Sequence, residues 1–256
     1  MNEPGIPPAL ELAGVSKRFG GLTVLDRLDL RLELSGMACI LGPNGCGKTT
    51  LFNLITGALK PDEGTIRVYG ARVGGLPPFE ISRKGVGRKF QVPGIYPELT
   101  VAENIEVPLV AGGTGNGPLA LLRRGGAAAS HARRDELLDL CGLAAKAEHA
   151  VATISHGERQ RLEIAMLLAR GSRILLLDEP TAGMTALETQ AICELVIELQ
   201  RKHGRAVLLI EHDMGFVRAL GCPIVVMVRG KMIAHGNYDE VSRDPAVIQS
   251  YLGRAR

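Results

Sequence analysis

Gly42-Pro43-Asn44-Gly45-Cys46-Gly47-Lys48-Thr49 is the stretch on which the reading of this chain turns. It fits the pattern G-x-x-x-x-G-K-[ST] and stands between an apolar strand candidate, Met37 to Leu41, and a helix candidate, Thr49 to Leu59. Glycines allow a turn tight enough to aim several backbone N–H groups at phosphate oxygens. Lys48 supplies the charge that reaches the terminal phosphates, and the Thr49 hydroxyl can ligate Mg²⁺ at the positive end of the following helix. Nucleotide is therefore the first ligand to consider. A glycine-rich turn with no ligand would not require this placement between strand and helix.

Working outward, 256 residues with 46% apolar content are enough to bury a full core in one large domain or two closely joined lobes. The net charge of +3, from 30 basic and 27 acidic residues, comes without any Lys/Arg run long enough for a nucleic-acid patch. The densest pairs, Arg123-Arg124 and Arg133-Arg134, read as solvated helix faces. No apolar run approaches the ~20 residues of a spanning helix, and Met1 to Pro8 lack the basic and apolar regions of a secretory leader, so a cytosolic address is expected. Cys39, Cys46, Cys141, Cys193 and Cys222 are scattered and form no C-x-x-C pair, which predicts free thiols rather than disulfides or a zinc site. Cys46, beside Lys48 at a helix start, is predicted to favour the thiolate and react with thiol reagents.

The opening segment carries strand-like stretches, Leu10 to Val15 and Val24 to Leu34, the second alternating apolar and charged residues as a half-buried antiparallel strand does. Gly64 to Tyr69 adds another. From about Thr100 to Arg170 the spacing turns helical, with Val101, Ile105, Leu137, Leu138 and Leu140 marking the apolar face. The runs Ile174 to Leu177, Ala206 to Ile210 and Ile224 to Val228 then alternate with helix candidates, as in a mostly parallel sheet with covered faces. The predicted layout is one domain over 1–256, with a core at approximately 1–91 and 171–256 and a helical insertion at approximately 92–170. The Gly/Ala-rich stretch Ala111 to Ala129 reads as a surface loop.

A second set of chemical residues follows the apolar runs. Ile174 to Leu177 lead directly into Asp178-Glu179, delivering two carboxylates to the sheet edge where α/β sheets bind ligands. Asp178 can hold Mg²⁺ together with Thr49, leaving Glu179 to orient and polarise an attacking water. Gln91 and His212 are polar residues placed in the same sense, although either alone would read as structural. Ser155-His156-Gly157-Glu158 precede an amphipathic helix marked by Leu162, Ala165, Met166 and Ala169. Ser155 and Glu158 fit a capping box with no ligand, or else Ser155 and the Gly157 N–H form a second phosphate-binding helix end.

Taken in order, these pieces make a chain that resembles the ATP-binding subunit of ABC transporters over essentially its whole length. That resemblance implies a P-loop NTPase core of the RecA-like kind, with an N-terminal antiparallel β subdomain and an inserted helical subdomain. It matches Phe19 to the adenine-stacking aromatic, residues 42–49 to Walker A with Thr50 as a further nucleotide contact, and Gln91 to the Q-loop glutamine, a Mg²⁺ contact. Ser155 to Glu158 match the signature motif, Ile174 to Asp178 Walker B, Glu179 the catalytic glutamate, Ala182 to Thr185 the D-loop and His212 the switch histidine. The signature departs from the common Leu-Ser-Gly-Gly-Gln at His156 and Glu158, and the D-loop carries Met184-Thr185 in place of Leu-Asp.

The resemblance implies ATP and Mg²⁺ as cofactors, hydrolysis to ADP and phosphate, and a head-to-tail pair of ATPase subunits. Partners would be membrane-spanning permeases and, indirectly, a solute-binding protein, with no nucleic acid, and the location would be peripheral on the cytoplasmic face of the inner membrane. Within the family the chain looks like the branched-chain amino acid and amide import group, on Gly87 to Gln91, the insertion after Val110 and the ending Tyr251-Leu252-Gly253. Ser155-His156-Gly157, Leu162-Glu163-Ile164 and Ala182 to Thr185 look most like the urea importer's ATPase. The alternatives are the ATPase of a lipid or lipopolysaccharide exporter, a non-transport ABC-type ATPase acting on chromosomes, and a module that binds nucleotide without hydrolysing it. Glu179 and His212 oppose the last.

Overall fold

Alternation of apolar and charged residues dictates the first sheet. In the computed structural model, which describes residues 6–89, 94–112 and 124–250, β1 (Leu10–Phe19) pairs antiparallel with β2 (Leu22–Leu32), Leu10 facing Leu32 and Phe19 facing Leu22. Leu28, Leu30 and Leu32 point inward while Arg27, Asp29 and Arg31 face solvent, the period of two that a one-sided sheet requires. β3 (Met37–Leu41) then enters the second sheet, and α1 (Lys48–Ile55) follows the glycine-rich loop. β4 (Glu63–Val68) and β5 (Ala71–Arg72) complete the antiparallel sheet in the order β2-β1-β4-β5.

The remaining elements are α2 (Pro78–Arg83), β6 (Val86–Arg88), α3 (Val101–Gly112), α4 (Arg124–Leu140), α5 (His156–Ala169), β7 (Ile174–Asp178), α6 (Ala186–Arg201), β8 (Ala206–Ile210), α7 (Met214–Leu220), β9 (Ile224–Val228), β10 (Lys231–Gly236), α8 (Tyr238–Arg243) and α9 (Pro245–Ser250). The second sheet runs β10-β9-β3-β8-β7-β6, parallel from β9 to β6 with β10 antiparallel at the edge. Because β7 and β8 are buried along their whole length, their successive residues serve two cores. Leu175, Leu177, Val207 and Leu209 pack toward the helices α3 to α7, and Leu176, Leu208 and Ile210 toward the antiparallel sheet and α1. This α/β architecture carries the mostly parallel sheet and N-terminal antiparallel strands expected from the sequence.

The first strand runs past the expected Val15 to Phe19 and the second starts at Leu22 rather than Val24, and two further boundaries differ for a local reason. The helix predicted over Thr49 to Leu59 ends at Ile55, because Gly57 turns at φ 76° where a Cβ would collide with the Leu76 carbonyl. The strand predicted to reach Leu34 ends at Leu32, before the turn at Ser35, φ 52°. Most of the Gly/Ala-rich stretch and the ending at 251–253 lie outside the described residues. Among the described residues no helix is long and apolar enough to cross a membrane.

Phe52 on α1 is fully buried and carries the Arg88 guanidinium 5.3 Å from its ring centroid. Phe52→Ala is expected to destabilise the fold by about 3 to 5 kcal/mol, measured by denaturant unfolding; a loss under about 1 kcal/mol would show that the α1 face can collapse to fill the void.

Candidate nucleotide site

The loop after β3 is pressed against the core at both ends, and that pressure selects its glycines. A Cβ on Gly42, φ 154°, would collide with the Met227 carbonyl, and one on Gly47, φ 109°, would lie 2.7 Å from Leu25 Cδ2 and 2.9 Å from the Val24 carbonyl oxygen. Gly45 has open space around it, so its φ of 77° alone favours glycine there. The loop winds back on itself through the Cys46 N–H, which donates to the Pro43 carbonyl at 3.3 Å. Lys48 is buried, and its ammonium donates to the carbonyls of Gly42 at 2.7 Å and Pro43 at 3.2 Å. Among the described residues this cation bonds only to neutral carbonyls, which makes it a ready partner for phosphate.

Across from the loop, β7 and β8 end together, since Asp178 stands opposite Ile210 in the parallel register. Asp178 is buried and accepts a bond from Arg88 Nη2 at 3.2 Å, while Arg88 Nη1 donates to Asn53 Oδ1 at 2.5 Å. Glu179 adopts φ 48°, with its N–H donating to the Ile210 carbonyl at 2.9 Å, and its Oε1 lies 2.5 Å from His212 Nε2. A non-glycine residue at positive φ is a strained conformation that surrounding structure must enforce. Here the bond to Ile210 enforces it and turns the side chain to His212.

Asn44, Gly45, Gly47, Lys48, Thr49, Thr50, Asp178 and Glu179 line one cleft of about 330 Å³. Gly42, Pro43 and Cys46 are not among its lining residues, and His212 reaches it through Glu179. The structure does not bring Ser155 and Gly157 to this cleft: they lie at the start of α5, where Ser155 caps the helix by accepting the Glu158 N–H at 3.2 Å, and Glu158 accepts the Ser155 N–H at 2.7 Å. Phe19 is 47% exposed at the end of β1, with the Lys17 ammonium 5.5 Å from its ring centroid. Gln91 lies outside the described residues.

Glu211, Lys89 and Glu163 add buried charge beside the site, and none of them is assigned a role there by the sequence alone. Glu211, almost fully buried, accepts bonds from the Thr181 N–H at 3.1 Å, the Thr181 hydroxyl at 2.6 Å and the His212 N–H at 3.0 Å, so it fastens the segment after β7 to the end of β8. Its signal was an acid following four aliphatics, the same signal that marked Asp178. Lys89 and Glu163 form a buried pair at 3.8 Å between the end of β6 and α5. Burial lowers the Lys89 pKa and raises that of Glu163, each against the pull of the other's charge.

Residues 25–182 match the family model for the ABC transporter, well over half of the chain. The chain belongs to the ABC transporter ATP-binding family. It is an ATP-hydrolysing nucleotide-binding subunit, and its residues 231–256 match the model for the branched-chain amino acid ATP-binding cassette transporter. It is 37% identical to the high-affinity branched-chain amino acid transport ATP-binding protein BraF of Pseudomonas aeruginosa, over 97% of this chain and 99% of that protein. It is 38% identical to LivG of Escherichia coli, which carries the same description, again over 97% and 99%. Among solved structures, the ADP conformation of an ATP-binding cassette of an ABC transporter superposes with a TM-score of 0.83 at 28% identity, covering 96% of this chain and 99% of that one. The dimeric structure of a bacterial ABC transporter cassette superposes with a TM-score of 0.75 at 26% identity, covering 90% and 98%.

In this ABC ATPase the five cysteines are free and buried, and Cys46 does not have the character expected of it. Its thiol packs under the loop at 3% exposure, and burial pushes its pKa up more than Lys48 and the neighbouring N–H groups pull it down. The reactive thiolate predicted from the sequence is corrected to an inert structural thiol. Cys46→Ser is accordingly expected to lose activity to N-ethylmaleimide at neutral pH at the same rate as the unmodified sequence. Inactivation slowed about tenfold or more by the substitution would restore the reactive reading.

Proposed function

We propose that this subunit drives an importer of branched-chain amino acids by binding ATP in the Lys48 cleft of one copy against the signature helix of a second. The meeting of Lys48, Thr49, Asp178 and Glu179 in one cleft supports the first half, and the separation of Ser155 and Gly157 from that cleft supports the second. A phosphate-binding helix end that cannot reach its own chain's nucleotide is useful to a partner's nucleotide. The dimeric relative shows that a cassette of this fold can pair. The relatives described as branched-chain amino acid transport proteins support putting that cargo ahead of the urea or short amide expected first from the sequence, which becomes the runner-up.

In this reading Lys48 exchanges its two carbonyl partners for phosphate oxygens, the loop N–H groups cradle the β- and γ-phosphates, Thr50 adds a hydroxyl contact and Phe19 stacks on adenine. Thr49 and Asp178 offer the hard oxygen donors that Mg²⁺ takes beside phosphate, with Gln91 a further donor, and the ion would neutralise phosphate charge. Glu179 accepts a proton from the attacking water as its oxygen bonds to the γ-phosphorus and the bond to the ADP oxygen breaks. His212 is the positioning partner that keeps the Glu179 carboxylate turned to that water. Hydrolysis then removes the anion joining the two copies. Permeases would dock on the helical segment at approximately 92–170, on the cytoplasmic face of the membrane, with a solute-binding protein delivering cargo from the other side.

Glu179→Gln is expected to keep ATP binding while turnover falls by about 10² to 10⁴-fold, so that gel filtration with Mg-ATP shows a stable dimer. Near-normal turnover would remove Glu179 from the role of base. Cells lacking this subunit are expected to lose uptake of labelled leucine while urea uptake persists; the opposite pattern would make urea the cargo.

A further inference from the structure

The signature helix end is not vacant in the single chain. Glu188, on the first turn of α6, places Oε1 where it accepts bonds from the Ser155 hydroxyl and the Gly157 N–H, each at 3.0 Å. Its other oxygen, Oε2, accepts the Thr185 N–H at 3.1 Å and the Thr185 hydroxyl at 2.9 Å, which caps its own helix. One carboxylate thus joins the N-termini of two long helices, α5 and α6, both of which present positive dipole ends to it. The approach depends on Gly157 having no side chain, because a Cβ there would lie 2.7 Å from Glu188 Cγ and 2.8 Å from Oε1. The four donors hold the carboxyl well below the usual carboxylate range, down to about 2, with the Thr185 and Gly157 backbone groups contributing most, so it is ionised at neutral pH.

Ser155 Oγ and the Gly157 N–H cannot serve Glu188 and a phosphate at the same time. We infer that Glu188 is a built-in competitor for the partner's ATP: it occupies the anion seat of the signature helix in the separate subunit and must leave that seat when two copies close. The inference rests on the head-to-tail reading of Ser155 and Gly157 proposed above. Release costs the two bonds to Oε1 and leaves the two to Thr185 in place, so the α6 cap persists while the seat changes hands. The competitor makes closure depend on a ligand with more charge than one carboxylate, which favours a terminal phosphate over a lone carboxylate or chloride.

Glu188→Gln separates the two tasks. Glutamine also completes a capping box, so its one oxygen can keep the Thr185 bonds; its –NH₂ then faces the Gly157 N–H donor to donor and retains only a neutral bond to the Ser155 hydroxyl, which weakens its hold on the seat. The measurement is sedimentation equilibrium with Mg-ATP, comparing Glu179→Gln with Glu179→Gln/Glu188→Gln after their melting temperatures are shown to agree. The double variant is expected to dimerise with a dissociation constant lower by about tenfold. Glu188→Asp, which keeps the charge on a side chain too short to span both helix ends, is expected to shift it in the same direction and stands in if the glutamine variant folds poorly. A Glu179→Gln protein that dimerises with ATP while the Glu188 variants dimerise equally or more weakly would overturn the competitor alone. Absence of an ATP-dependent dimer in every variant would overturn the head-to-tail reading and this inference with it.

Discussion

The parallel register of β7 against β8 is the constraint on which the site depends. Setting Asp178 opposite Ile210 ends the two strands at the same level, and the next residue of each chain segment then turns into the same space. The Glu179 N–H closes on the Ile210 carbonyl, Glu211 ties down Thr181, and His212 meets the Glu179 carboxylate. A slip of one residue would send every side chain of β7 to the opposite face and take Asp178 out of the cleft. Burial on both faces prevents that slip, since Leu175 and Leu177 already belong to one core and Leu176 to the other.

Fixed strands let the backbone take unusual conformations where chemistry needs them, free of strain at the loop's glycines and strained at Glu179. Gly42 and Gly47 lie in backbone regions that side chains rarely adopt, and Glu179 lies there with a side chain. Such conformations persist only when the surroundings over-determine them. The Met227 and Val24 carbonyls leave no room for a side chain at Gly42 and Gly47, the Gly230 N–H holds the loop through the Cys46 carbonyl, and the Ile210 carbonyl holds Glu179. The strand ends are held by backbone groups of the core, whereas the contact between Glu188 and the start of α5 is made by side-chain and amide groups near the surface.

Much of this was legible in the sequence because the informative signals were local. Four aliphatics running into Asp178-Glu179 announce a buried strand that ends in acid, and the spacing of glycines with Lys48-Thr49 announces the loop. What was missed needed distance or burial. β6 has three residues, too few for any period to show, and the Lys231–Gly236 strand opens on a charge that hides it. Cys46 was misjudged because its neighbours give the sign of the local field, while the desolvation that outweighs it comes from packing. The bond from Ser155 to Glu188 joins residues 33 apart, and no propensity or spacing rule brings the start of α6 to the start of α5.

We propose that the strand register assembles Glu179 and His212 into one hydrolytic unit separate from the groups that bind ATP. It is tested most directly by comparing steady-state ATP turnover and ATP affinity in His212→Ala. Turnover is expected to fall by about 10²-fold with affinity held within about twofold. Turnover close to that of the unmodified chain, or an equal loss in affinity and turnover, would contradict it.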